Sequence, residues 1–283
     1  MASVAAGFWD SDKKSLTILV VAFVVQWLAT LLTVWLYGSS LGKFIWLNLK
    51  LPEQLAFTLD KAILMVITAV LVVSLHRRWA AGLWLAAIWI FSNTLATWLQ
   101  GGSFGAPYSV PAHSVRYVLP VALALFMLKS RKGRQISLVD WPFRILTLAA
   151  SATFVTHGLE ALANHPVFKD YIIRFFREWL SIRVSESRSE HLLLLIGLQD
   201  IILGIGILTG KFRAFFLYMA CWGFWTAGLR ILHSPEAGGF LLVFIRVANG
   251  SVPLALYFWR RPTGCKKSIN SSPLAEVPGP KLP

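Results

Sequence analysis

Eight apolar runs, each near the length of a bilayer crossing, dominate this sequence. They cover approximately 15–37, 55–75, 80–99, 114–128, 142–163, 191–209, 214–232 and 240–259. A hydrocarbon core of ~30 Å is crossed by about 20 helical residues. Backbone groups find no water there, so each run must close its own hydrogen bonds as a helix. The fourth run is short and is best begun near His113. Hydrophobic residues make up 56% of the 283 positions and mean hydropathy is +0.63, more than a soluble core of this size requires. The expected fold is all-α: a polytopic membrane helical bundle with eight transmembrane helices.

The charges fix a topology. Formal net charge is +14, but the basic residues sit in short clusters between apolar runs. Nucleic-acid binding needs a continuous basic face, so this pattern argues against it. Lys13 and Lys14, Arg77 and Arg78, the 129–134 cluster, Lys211 and Arg213, and the cluster after Arg260 occupy alternate loops. The positive-inside rule makes that side cytoplasmic, with both termini there and a bacterial inner membrane as the expected location. The first run is too long for a cleavable signal peptide and is expected to remain as a span. The segment 165–190 is an exception, with five basic residues on the outer side. Its stretch His165–Ile182 interleaves Tyr171, Phe175, Phe176 and Trp179 with charges, as in an amphipathic helix lying at the outer interface. The 263–283 tail, rich in Pro, Ser and Lys, is expected to be disordered and cytoplasmic. Two isolated cysteines, Cys221 and Cys265, imply neither a disulfide framework nor a zinc site.

The chain also reads as a repeat. Trp89–Leu125 aligns without gaps on Trp222–Phe258, pairing Trp89 with Trp222, Gly105 with Gly238 and Pro120 with Pro253. With a gap, Asp60 meets Asp200. The expected organisation is a four-helix repeat over 1–134, a second over 135–262, and the tail. An even number of spans per half makes the repeats parallel.

Ionisable residues inside spans are costly and mark candidate sites. Thr153, His157, Glu160 and Asn164 share one face of span five by their spacing. Span six carries Asp200, span seven Thr226, Arg230 and His233, and span eight Arg246 and Asn249. Their first-half counterparts are Asp60, Asn93, His113 and Arg116. The assigned orientation places the second-half set toward the outer face. Glu160 and Asp200 are expected to pair with Arg230 and Arg246, which lowers the cost of burial without making it favourable. The same network would serve equally as packing between helices. His157 and Glu160 resemble half of a helical carboxylate–histidine metal motif, in reversed order and single copy, so no metal site is assigned. Haem would require His157 to face His233 or His113, both near helix ends. Retinal would require a lysine deep in span eight, which has none.

Three motifs carry a family resemblance. Thr156-His157-Gly158-Leu159-Glu160-Ala161-Leu162, Gly197-Leu198-Gln199-Asp200-Ile201-Ile202-Leu203-Gly204 and Arg246–Leu256 resemble the first, second and fourth helices of DoxX-like membrane proteins. The match covers roughly 142–260. It implies a four-helix membrane fold; one branch, DoxD, is linked to thiosulfate:quinone oxidoreduction. This chain departs from the pattern in its eight runs and in having Asp200 where the family pattern suggests Glu.

Three functions compete. An outward polar pocket walled by Trp222, Phe224 and Trp225 would suit a quinone or similar amphipathic molecule, with electrons passing through a redox partner protein. Parallel repeats would suit a small-solute or lipid transporter, although no span reads as broken at mid-depth. A structural subunit of a larger membrane complex is the third, and self-association stays open.

Overall fold

The computed structural model describes residues 2–101, 106–132, 140–233 and 237–259, with side chains described over a slightly narrower set. Among them there are helices and no strands. The order is α1 (Ala2–Tyr37), α2 (Ser40–Leu47), α3 (Glu53–Arg77), α4 (Ala81–Gln100), a 3₁₀ turn (Ala106–Tyr108), α5 (Ser109–Ala112), α6 (Ser114–Lys132) and α7 (Asp140–Leu162). Then come α8 (Pro166–Trp179), α9 (Glu186–Leu208), α10 (Arg213–Gly228), α11 (Arg230–His233), α12 (Ala237–Ile245) and α13 (Ala248–Phe258).

Seven helical stretches are long and apolar enough to cross a membrane: Lys13–Leu47, Glu53–Arg77, Ala81–Gln100, Trp141–Leu162, Glu186–Leu208, Arg213–Leu232 and Gly238–Phe258. The apolar part of α6, Ser114–Leu128, is shorter. Large aliphatic side chains point away from the bundle; Val66 is 63% exposed and Ile202 62%. A water-facing surface does not tolerate such a continuous apolar coat, and a lipid-facing one requires it. The chain is an integral membrane protein. The 263–283 tail lies outside the described residues.

Local chemistry sets the element ends. Gly38 turns the first stretch with φ 74°, and Ser39 caps α2 by accepting the Gly42 amide at 3.0 Å. Pro166 opens α8, where its missing N–H costs nothing. The expected amphipathic segment is thus a helix, Pro166–Trp179, packed on α9 and α11.

Small residues let the backbones meet. At Gly158 an added Cβ would lie 2.6 Å from the Gly197 carbonyl oxygen, so α7 and α9 touch backbone to backbone. α1 packs along α12 and α13, while α7 packs along α5 and α6. The core between them is closed by Trp27 on Trp89, rings 6.1 Å apart, and by Phe143 stacked on Trp259 at 4.7 Å.

One expectation is overturned. The Gly238–Phe258 stretch is interrupted: α12 ends at Ile245 and α13 begins at Ala248. Across the break, Asn249 N–H donates to the Arg246 carbonyl at 2.9 Å, a three-residue bond that tightens the turn. The same bond joins Arg116 N–H to the His113 carbonyl at 3.0 Å, 133 positions earlier, where α5 gives way to α6. Pro120 in α6 cannot donate to the carbonyl four residues back, that of Arg116. Gln26 Nε2 of α1 supplies the missing donor at 3.0 Å. No run of hydropathy reveals such a break, because Val243–Ser251 remains largely apolar through it.

Candidate functional site

A cavity of about 100 Å³ lies among α7, α8, α9, α10, α11 and the α12–α13 break. Its walls include His157, Asp200, Arg230, Arg246 and Asn249, five of the residues singled out by type and spacing. Phe154, Phe168 and Trp222 form an aromatic side, and Thr226 and Tyr171 add hydroxyls. The volume holds several waters or a compact ring.

The expected ion pairs do not form as proposed. Glu160, 6% exposed, bonds His157 Nδ1 through Oε2 at 2.8 Å rather than an arginine. Three-residue spacing on α7 brings these two groups together without any help from another helix. Arg230 instead donates from Nη1 to the Tyr171 hydroxyl and lies over that ring, 4.9 Å from its centroid. Asp200 faces the Trp222 indole and the Gln199 amide, and its Oδ1 makes no hydrogen bond of standard geometry. Arg246 makes no ion pair with a described residue, although Glu160 lies within its electrostatic field.

Other expectations also need correction. Asn164 is exposed and lies past the end of α7, in left-handed backbone at φ 55°. With Asn164 N–H on the Ala161 carbonyl at 3.0 Å and His165 N–H on that of Glu160 at 3.1 Å, it terminates the helix as a left-handed cap. Phe224 and Trp225 point outward, 41% and 44% exposed, and Trp225 packs against Phe175 and Trp179 of α8. The His233 side chain lies outside the described residues. Tyr171 and Arg174, treated only as interfacial residues by their pattern, turn out to fasten α8; Arg174 Nη1 donates to the Leu232 carbonyl at 3.0 Å.

His165 begins α8, stacked on Phe168 with centroids 4.8 Å apart. Burial pushes its imidazole below the ordinary range, opposed by Glu160 nearby.

A second cavity, about 330 Å³, lies among α1, α2, α4, α6 and α12. Asn93, His113 and Arg116 line it, and Arg246 reaches it from the other side. Asn93 bonds at both ends of its amide: Oδ1 accepts the Leu41 amide at 3.1 Å and Nδ2 donates to the Trp89 carbonyl at 3.0 Å. It ties α2 to α4. Asp60 is wholly buried and stands outside this wall, facing Ser39 and the Trp89 indole. Each half therefore sets a carboxyl against a tryptophan, Asp60 with Trp89 and Asp200 with Trp222.

Among the described residues, no three His, Cys, Asp or Glu side chains gather as a metal site. No protein-family model, curated protein or solved structure matches this chain.

Proposed function

We propose that the cavity between α7 and α13 binds an amphipathic small molecule, that a quinone is the headgroup its walls suit best, and that the protein serves as a redox-associated subunit beside a partner. The observation that carries this reading is the division of the walls. Phe154, Phe168 and Trp222 offer ring faces, while Arg230, whose buried Nε has no hydrogen-bond partner, offers a donor to a carbonyl oxygen. The buried Asn249 Oδ1, which accepts no hydrogen bond, offers an acceptor to a hydroxyl. Buried polar atoms without partners are costly, and a ligand carrying both kinds of group would satisfy them.

The architecture proposed with it has eight crossings, the eighth being α6, and two parallel four-helix repeats. The matched breaks before Arg116 and Asn249 support the duplication, as does the exchange in which α1 packs on α12–α13 and α7 on α5–α6. The positive-inside pattern supports cytoplasmic termini in a bacterial inner membrane. The DoxX-like motifs of 142–260 support kinship of the second half with that family.

A transporter is the second reading, favoured by one observation: the crossing helix breaks beside the cavity at Arg246–Val247. Discontinuous helices of this kind line substrate sites in transporters. Mass spectrometry of molecules co-purified with the full chain separates the readings. Quinone in stoichiometric amount, with its absorbance change on reduction, is the expected result. A chain that carries none and fails to bind a short-tailed quinone overturns the proposal.

A further inference from the structure

The second cavity has a chemistry different from the first. Two arginines and a histidine line it, together with the hydroxyls of Thr30, Ser39 and Thr94, and no carboxylate does. Asp60 does not line it and is engaged by Ser39 and Trp89. Neither the Arg116 nor the Arg246 guanidinium makes a hydrogen bond or ion pair with a described residue, and Arg116 Nε is buried without a partner. Arg116 stands in the field of Arg230, and Arg246 in the fields of both, opposed by those of Tyr171 and Glu160.

Guanidiniums brought together away from bulk water repel one another and lose hydration. Side chains that only held helices in register would end on carbonyls or carboxylates, as Arg174 does on Leu232. Arg116 and Arg246 instead leave their planar donor forks toward a space that has room for a ligand and its waters. A fork of this kind matches the paired oxygens of a carboxylate or phosphate.

We infer that the cavity among α1, α4, α6 and α12 is a second, separate site, which binds a phosphate or carboxylate oxyanion between Arg116 and Arg246. The hydroxyls of Thr30 and Thr94 already donate to the Gln26 and Phe91 carbonyls, so the two guanidiniums carry the oxyanion. Arg246 also faces the first cavity and is the one described lining residue the two share. The inference does not rest on the quinone reading: Arg116 does not line the first cavity.

The test uses the purified full chain in nanodiscs of neutral phosphatidylcholine. Isothermal titration calorimetry is run with dodecyl phosphate, with uncharged dodecanol and with inorganic phosphate. Dodecyl phosphate is expected to bind at least about tenfold more tightly than dodecanol, as the loss of one charge-assisted contact implies. Arg116→Gln and Arg246→Gln should each weaken it about tenfold. Arg177→Gln, at an exposed pair with Glu178, should leave it unchanged. Arg246→Lys, which keeps the charge but not the fork, should fall between and serves if the glutamine variant does not fold. Binding of inorganic phosphate as well identifies a free oxyanion as the ligand; binding of dodecyl phosphate alone identifies the acidic head of an amphipath. Equal affinity for dodecyl phosphate and dodecanol, no binding of either phosphate, or wild-type affinity in both glutamine variants would overturn the site. Loss of short-tailed quinone binding with phosphate binding intact would strike only the first cavity's assignment.

Discussion

His157 Nδ1 and Glu160 Oε2 lie 2.8 Å apart on one face of α7, with the carboxylate nearly enclosed. The pair settles a charge locally, leaving the arginines across the cavity without their expected partner. Truncating Glu160 to alanine should cost about 2 kcal/mol, the scale of a buried polar group stripped of its bond. The double variant with His157→Ala should cost less than the two single losses combined. Reversible unfolding in mixed micelles gives the cycle; simple additivity would show that the contact carries no coupling.

The contact of α7 with α9 leaves no room for a methyl group. Gly158→Ala should destabilise by about 1–3 kcal/mol through overpacking, and Gly158→Leu should abolish the folded yield. Gly101, whose added Cβ would meet nothing within 4 Å, shows that space is not scarce everywhere. Fluorescence-detected size exclusion reads both variants. A normal monodisperse peak for the leucine variant would refute the backbone contact.

Tyr171 holds Arg230 by its hydroxyl and by its ring. Tyr171→Phe keeps the ring and should cost about 1 kcal/mol, one net hydrogen bond. Tyr171→Ala should cost more, with protease sensitivity appearing within α8. Equal effects from the two substitutions would mean that the ring contributes nothing.

Acid should loosen the start of α8. His165 has a folded-state pKa held below its unfolded value by burial, so its contribution to stability is complete above an unfolded pKa of about 6.5. That contribution is lost as pH falls below this value, because the unfolded chain takes up the proton first. His165→Phe, which keeps the stack on Phe168, should flatten the acid limb of melting temperature against pH. Superimposable profiles for the two proteins would remove His165 from the response.

Composition and period carried the membrane class and most helix positions, since a bilayer leaves the backbone few choices. They also gathered His157, Asp200, Arg230, Arg246 and Asn249 into one wall, because burying such groups apart would be costly. Pairing was not legible. Glu160 chose a neighbour on its own helix, and Arg230 chose a phenol on α8, decisions of a few ångströms that helix faces do not encode. Asn164 misled because its spacing continued the polar stripe, while its backbone had already left the helix. The break at Arg246 was hidden for a related reason: apolar residues continue on both sides, and the turn is made by three-residue bonds rather than by a glycine or proline at that point.

Ser15 of α1 donates to the carbonyl of Ala255 at 2.9 Å, and Gln26 to that of Arg116. α1 therefore finds a principal neighbour 240 residues further along the chain. Until α12 and α13 are synthesised, α1 must wait in lipid with one side of its packing surface open. A chain halted before Ala248 therefore holds α1 only by its contacts with α4 and α6, with the face meant for α13 still open to lipid.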